Sequence, residues 1–237
     1  MFTVALVGAD GAGKTTIAKR VLQQKGLNIR YVYMGSNPES SNIVLPTTRL
    51  AQRLRRLGYL QPPQAALRGA EAPPAPPRRG LRRLLGVFKP YLWLAHHLAE
   101  EWFRQCVVWS YTLRGSIVIF DRHFFFDYYA SDIQNNGAGR PLPRRFHGWM
   151  LKRVFPKPDL VIFLDAPAGL LYARKPETTL SYLERRREEY ARFQGEFRNF
   201  WVVDAAQPEE AVLQDVLRII ETFRPGRSRQ AARGETG

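Results

Sequence analysis

A single cysteine, Cys106, stands in 237 residues. No disulfide can form within the chain, which fits a reducing compartment. No Cys/His spacing suggests a zinc site. Long uncharged apolar runs are also missing. The most apolar extended stretch, Val87 to Leu113, carries Lys89, Glu100, Glu101 and Arg104, which argues against a membrane span. The N-terminus enters a strand pattern at once, without the basic-then-apolar order of a secretory leader, so the expected location is the cytoplasm. Acidic residues are scarce: 21 Asp and Glu stand against 36 Lys and Arg, a net charge of +15. No internal repeat is visible.

The charge excess is local. Arg49 to Arg83 holds nine Arg and one Glu, and Arg224 to Gly237 holds four Arg and one Glu. Within the first segment, "QPPQAALRGAEAPPAPPRRG" (Gln61 to Gly80) has six prolines. That density of missing N–H groups is incompatible with a regular element. Residues 49–86 therefore read as a basic, proline-rich insertion, and 224–237 as a basic tail without regular structure. Such an arm is a solvated insert or a binder of nucleic acid or an anionic surface. No motif of a nucleic-acid-binding fold supports the second reading.

What is present is an alternation of strands and helices. Phe2–Val7, Ile29–Met34, Ser116–Phe120, Leu160–Leu164 and Phe200–Val203 are short apolar runs. Helical spacing separates them: Gly13 to about Gln24, Tyr91 to about Leu113 behind Pro90, Leu180–Phe193, and a last helix from about Pro208. This pattern predicts one α/β domain over 1–223, with about five parallel strands and helices on both faces. Ligands bind at the carboxyl ends of such strands. Asp10, Asp121, Asp165 and Asp204 fall there.

Between the first strand and the first helix lies "GADGAGKT", which fits G-x-x-x-x-G-K-[ST]. Gly8, Asp10, Gly11, Ala12, Gly13, Lys14, Thr15 and Thr16 are the expected nucleotide-binding residues. Backbone N–H groups wrap a phosphate here, so bulk must be absent. The helix N-terminus adds partial positive charge. Lys14 serves the outer phosphates, and Thr15 is a magnesium ligand. ATP and Mg2+ are the expected cofactors. The loop alone does not separate switches, motors and kinases.

Other strand ends add chemistry. Asp121 can hold magnesium or take a proton, and Arg122 beside it can fork onto a second phosphate; a salt-bridged strand terminus is the plainer reading. "ARKPETTLSYLERRREEYARF" is a solvated charged helix or an arginine lid that stabilises a transferring phosphoryl group. Arg174, Arg185 and Arg186 are its catalytic candidates, with Lys14, Asp121 and Arg122. His96 and His97 read as packing residues. His123 is a candidate through its place beside Asp121-Arg122. Phe124–Phe126, Tyr128 and Tyr129 are core residues or a stacking platform for an acceptor ring.

A phosphate loop with an acidic third residue, "IFDRH" after a long helix, "DLVIFLDAP", "ARKPE…YLERRREEY" and "VVDAAQPEEAVLQDVLRII" follow one another in the order of a known family. The chain resembles the thymidylate kinase-like branch of the nucleoside monophosphate kinases from Phe2 to Phe223. The resemblance implies ATP-dependent phosphoryl transfer to a nucleoside monophosphate. It puts Asp10 toward the acceptor, Asp121 and Arg122 at the metal and acceptor phosphate, and Asp204–Gln207 by the adenine. Gly11, Ala12 and Gly13 replace the loop arginine of some members, which leaves the transition-state charge to the lid. "YMGSNPESSNIVLP" replaces the usual Arg-Glu-Pro-Gly segment. Glu100 and Glu101, with Arg104 a turn later, stand where the family offers an arginine. A sugar or other metabolite kinase, and a nucleotide-gated regulatory protein using the basic arm, stay open as alternatives. So does a homodimer.

Overall fold

The computed structural model describes residues 1–24, 26–37, 40–57, 81–134 and 138–223. The proline-rich stretch 61–80 and the tail 224–237 lie outside them. Five parallel strands form one sheet in the order β2-β3-β1-β4-β5. They are β1 (Thr3–Val7), β2 (Ile29–Tyr33), β3 (Ile117–Asp121), β4 (Leu160–Asp165) and β5 (Phe200–Asp204). The expected strands are all present, shifted by at most a residue or so at their ends.

Alternation along the central strands splits the interior in two. Val4 and Leu6 face one core with Ile119 and Ile162, closed by α1 (Lys14–Leu22) and α8 (Glu209–Thr222) through Ile17, Val21, Leu213, Val216 and Ile220. Ala5 and Val7 face the other, with Phe120, Phe163, Val108, Met150 and Tyr190. These side chains come in part from α3 (Leu81–Leu113), α5 (Leu142–Arg153) and α7 (Leu180–Arg192). Sheets covered on both faces have apolar strands without strict polar alternation, and β1 and β4 fit that description.

Two short helices, α4 (Phe124–Asp127) and α6 (Ala168–Arg174), and α2 (Pro46–Arg56) complete the helices. A π-helical turn, Tyr129–Ile133, follows α4. The long helix differs from expectation. It begins at Leu81, inside the stretch read as an insertion, and runs through Pro90. The basic helix α2 also enters the stretch read as an insertion, as far as Arg56. Among the described residues no helix is long and apolar enough to cross a membrane.

The register sets the site. Leu6 lies opposite Asp121, Asp121 opposite Tyr33, and Asp165 opposite Asp204. The carboxyl ends of all five strands therefore form one edge, with the loop after β1 at its centre.

Candidate active site

The loop after β1 is glycine-rich for steric reasons. Gly11 sits at φ +87°, and a Cβ there would lie 2.5 Å from the Leu171 carbonyl oxygen of α6. Gly8 packs as closely against the Leu164 carbonyl, again with 2.5 Å left for a Cβ. Any side chain at either place would push the loop off β4 and α6. Gly13 caps α1 in the left-handed conformation.

A cavity of about 450 Å³ opens over this loop. Asp10, Gly11, Ala12, Gly13, Lys14, Thr15 and Thr16 line it, and Arg174, Ala205 and Gln207 close its far side. Gly8 does not line it and acts through backbone packing alone. Arg174 donates to the Ala205 carbonyl at 2.8 Å, which ties α6 to the segment after β5.

Lys14 is buried and donates to the Ala9 carbonyl at 2.7 Å. Burial, with help from the Arg122 charge, pushes its amine down to about 8. A cation so destabilised is poised for an anion.

Asp121 is also buried and lies behind the loop rather than on the cavity wall. Its Oδ2 accepts from the Thr15 hydroxyl at 2.7 Å and from the Tyr31 hydroxyl at 2.9 Å. Its Oδ1 has no hydrogen-bond partner among the described residues. A carboxylate with a spare oxygen beside a threonine hydroxyl is an oxygen donor set that suits a hard divalent cation. The Tyr31 hydroxyl is raised above its ordinary value by burial and by the Asp121 charge, so it stays a donor.

Arg122 is the one non-glycine residue with positive φ among the described residues, at 68°. A left-handed arginine costs roughly 1–2 kcal/mol. The conformation aims its guanidinium at Asp10 Oδ1, 2.7 Å away, and toward Asp127 Oδ1 at 3.9 Å. Burial opposes ionisation of Asp10, but Lys14 and Arg122 beside it hold its carboxyl below the usual value.

A second cavity adjoins on the other side of Arg122, which lines both. Its wall includes Ser36, Asp127, Tyr129, Ser131, Arg185 and Arg186. The three lid candidates are thus divided. Arg174 belongs to the first cavity, and Arg185 and Arg186 to the second. Arg186 is held by Glu189 at 2.7 Å and the Tyr190 hydroxyl at 2.9 Å. Arg185 has no ion-pair partner among the described residues; its guanidinium stands 5.8 Å from the Tyr182 ring centre.

Several expectations shift. His123 is buried and caps α4, its Nδ1 accepting from the Phe125 N–H, and burial lowers it to about 3. It reaches neither cavity. Phe124, Phe125 and Phe126 are core residues; of the aromatic cluster only Tyr129 reaches the second cavity. Glu100 accepts from the Leu45 N–H, and Arg104 donates to the Gly35 carbonyl at 2.9 Å. Those two hold the segment after β2 instead of facing an open acceptor space.

Two participants, Tyr31 and Asp127, had no sequence signal of their own, and for Arg187, within the charged lid segment, only the partner was not legible. Tyr31 and Asp127 reach the site only through strand register and the α4 turn. Arg187 forks onto both oxygens of Asp165 at 2.7 and 2.8 Å and docks α7 on the end of β4. A bidentate arginine at a strand end is legible only once the helix position is known.

No family model matches the chain. It is similar to probable thymidylate kinase 1 of Saccharolobus solfataricus, at 33% identity over 92% of this chain and 96% of that one. It is also similar to the probable thymidylate kinase of Staphylothermus marinus, at 29% identity over 92% and 94%. Among solved structures, deoxyadenosine kinase from M. mycoides with bound dATP matches 94% of this chain and all of that one. The TM-score is 0.50 at 17% identity, a likeness of fold.

Proposed function

We propose, from the premise that this chain belongs to the thymidylate kinase family, that it transfers the γ-phosphoryl group of ATP to the phosphate of a nucleoside monophosphate. Family membership makes it a nucleotide kinase. The observation that carries the acceptor side is Arg122, shared by two cavities, with Asp10 paired to it.

In this reading the first cavity takes ATP. Backbone N–H groups of Gly11 to Thr15 bind its phosphates, Lys14 meets the outer ones, and Ala205 and Gln207 border the base. The second cavity takes the acceptor, whose phosphate displaces Asp10 from part of the Arg122 guanidinium. Arg122 then holds donor and acceptor phosphates in line, which supplies orientation and charge together. Arg185 and Arg186 add positive charge from α7, and Arg174 does so from α6, in place of the missing loop arginine.

Thr15 and Asp121 would hold Mg2+, Asp121 through its spare Oδ1. The ion, when bound, screens the phosphate charge. The chain needs no nucleophile of its own, because the acceptor phosphate oxygen attacks and carries little proton at neutral pH.

A homodimer is supported by α3. Phe88, Leu92, Ala95, Ala99, Trp102, Cys106, Trp109 and Leu113 repeat at alternating four- and three-residue steps. Between Tyr91 and Leu113 the charged residues, Glu100, Glu101 and Arg104, are all buried against the protein's own core. A two-fold antiparallel copy would set Leu92 against Trp109 and Ala99 against Trp102. Location in the cytoplasm agrees with the single cysteine and the need for ATP.

The test is γ-labelled ATP with a panel of nucleosides, nucleoside monophosphates and sugars. Label should move only to monophosphates. Label on sugars or free nucleosides would replace this reading with a metabolite kinase.

A further inference from the structure

Behind the acceptor wall lies a buried charge cluster that the transfer reaction does not use. His147 of α5 has no exposed surface. Its Nδ1 lies 2.6 Å from Asp132 Oδ2, and its Nε2 lies 2.8 Å from Glu101 Oε1. Burial raises the Glu101 carboxyl above its ordinary value and the bond from the ring opposes that; at Asp132 burial is outweighed, and the same kind of bond holds it below its own. Once both carboxylates are ionised each needs a donor, and only the imidazolium supplies two. Asp132 sits in the π-helical turn, and Glu101 in α3. His147 therefore joins three elements at one ring.

The surroundings fix that state. Arg144 donates to Asp132 at 3.1 Å and lies 3.7 Å from the Trp93 ring centre. Tyr128 packs edge-on to the ring at 4.8 Å. From α3, Arg104 is paired with Glu100 at 3.6 Å, and His97 stands 6.3 Å away, lowered to about 4 by burial and so neutral. Glu101 keeps one oxygen without a hydrogen-bond partner among the described residues. The backbone contact is equally close: a Cβ at Gly148 would collide with the Asp132 carbonyl. The segment so clamped carries Tyr129, Ala130, Ser131 and Gln134, all on the wall of the second cavity.

We infer that His147 is a positioning residue for the acceptor: its doubly bonded ring pins the turn Tyr129–Ile133 to α3 and thereby sets the shape of the acceptor wall. The inference rests on reading the second cavity as the acceptor site. Burial works against the charged ring, but the bonds to Asp132 and Glu101 outweigh it and raise His147 to about 9. Below that pH both carboxylates are served. Above it a neutral ring serves one; Asp132 keeps the Arg144 guanidinium, whereas Glu101 has no second donor among the described residues and is the group left unserved. Acceptor binding is thus expected to weaken as pH rises through about 9, while ATP binding holds.

The experiment pairs steady-state kinetics with hydrogen exchange. His147→Gln, which keeps one donor group, should raise the acceptor KM about tenfold, the loss of one charge-assisted bond, with the ATP KM unchanged. Glu101→Gln still accepts from Nε2–H but removes a negative charge that raises the ring. The alkaline rise in acceptor KM should therefore begin at lower pH than in the wild type. At pH 7, His147→Gln should speed amide exchange over 129–134 and leave 14–16 unchanged. Equal shifts in both KM values, or an alkaline limb that Glu101→Gln does not move, would overturn the inference. If no acceptor is phosphorylated by any form, the kinase reading fails. The exchange measurement then decides the clamp alone: faster exchange confined to 129–134 supports it, and unchanged exchange there refutes it.

Discussion

Replacing Lys14 by Met should abolish turnover and make the unliganded protein more stable. Lys14 is 6% exposed, and burial lowers its amine from 10.5 to about 8. At about 1.4 kcal/mol per pH unit, keeping it charged at pH 7 costs about 3 kcal/mol. Met removes that cost and loses the bond to the Ala9 carbonyl, worth about 1 kcal/mol. The net gain is about 2 kcal/mol, or roughly 4–8 °C in Tm for a chain of this size. The folded protein holds the Lys14 proton less tightly than the unfolded chain. The penalty is therefore complete below about pH 8 and fades as pH approaches 10.5, where the folded state is already neutral and the unfolded chain is losing its proton. Thermal unfolding of both proteins at pH 7 and pH 10.5 measures this directly. Lys14→Met should melt higher at pH 7, and the gap should close at pH 10.5. Saturating ATP should reverse the order, because only the wild type gains binding energy from the lysine. A variant less stable at pH 7, or a gap independent of pH, would refute the reasoning.

Two further outcomes follow from the same geometry. Arg122→Lys keeps the charge but loses the fork between Asp10 and Asp127, so kcat should fall about 10²- to 10³-fold, with little change in the ATP KM; single-turnover kinetics would read this. Trp109→Glu places a charge on the uncharged outer face of α3, and sedimentation should show a dimeric wild type and a monomeric variant that still folds, because Trp109 is 43% exposed in the single chain.

The sheet was legible because its strands are short apolar runs closed by acidic residues, and Asp121 and Asp165 do end β3 and β4. The phosphate loop was legible because its pattern fixes Gly8, Gly13, Lys14 and Thr15; the crowding that also demands glycine at position 11 shows only in the fold. Roles that depend on which way a side chain turns were harder. His123 stands next to Asp121-Arg122 in sequence, yet its ring points into the core, since Arg122 alone takes the left-handed bend. Arg104 looked like a displaced acceptor contact and proved to be a backbone tie to Gly35, a pairing across 69 residues. His147 had no local signal. Its partners come from α3 and the π-helical turn, and only tertiary packing brings them to one ring. The start of α3 is not legible in the sequence, since proline usually marks a helix boundary, whereas Pro90 sits within a helix long enough to absorb one lost hydrogen bond.

Transfer between two nucleotides is the centre of the account, and phosphorus NMR observes it directly. ATP, Mg2+ and the common nucleoside monophosphates, each in turn, incubated with the enzyme should yield ADP and the signals of a nucleoside diphosphate from at least one of them, with none formed by Lys14→Met. Release of inorganic phosphate with every monophosphate signal unchanged would contradict it.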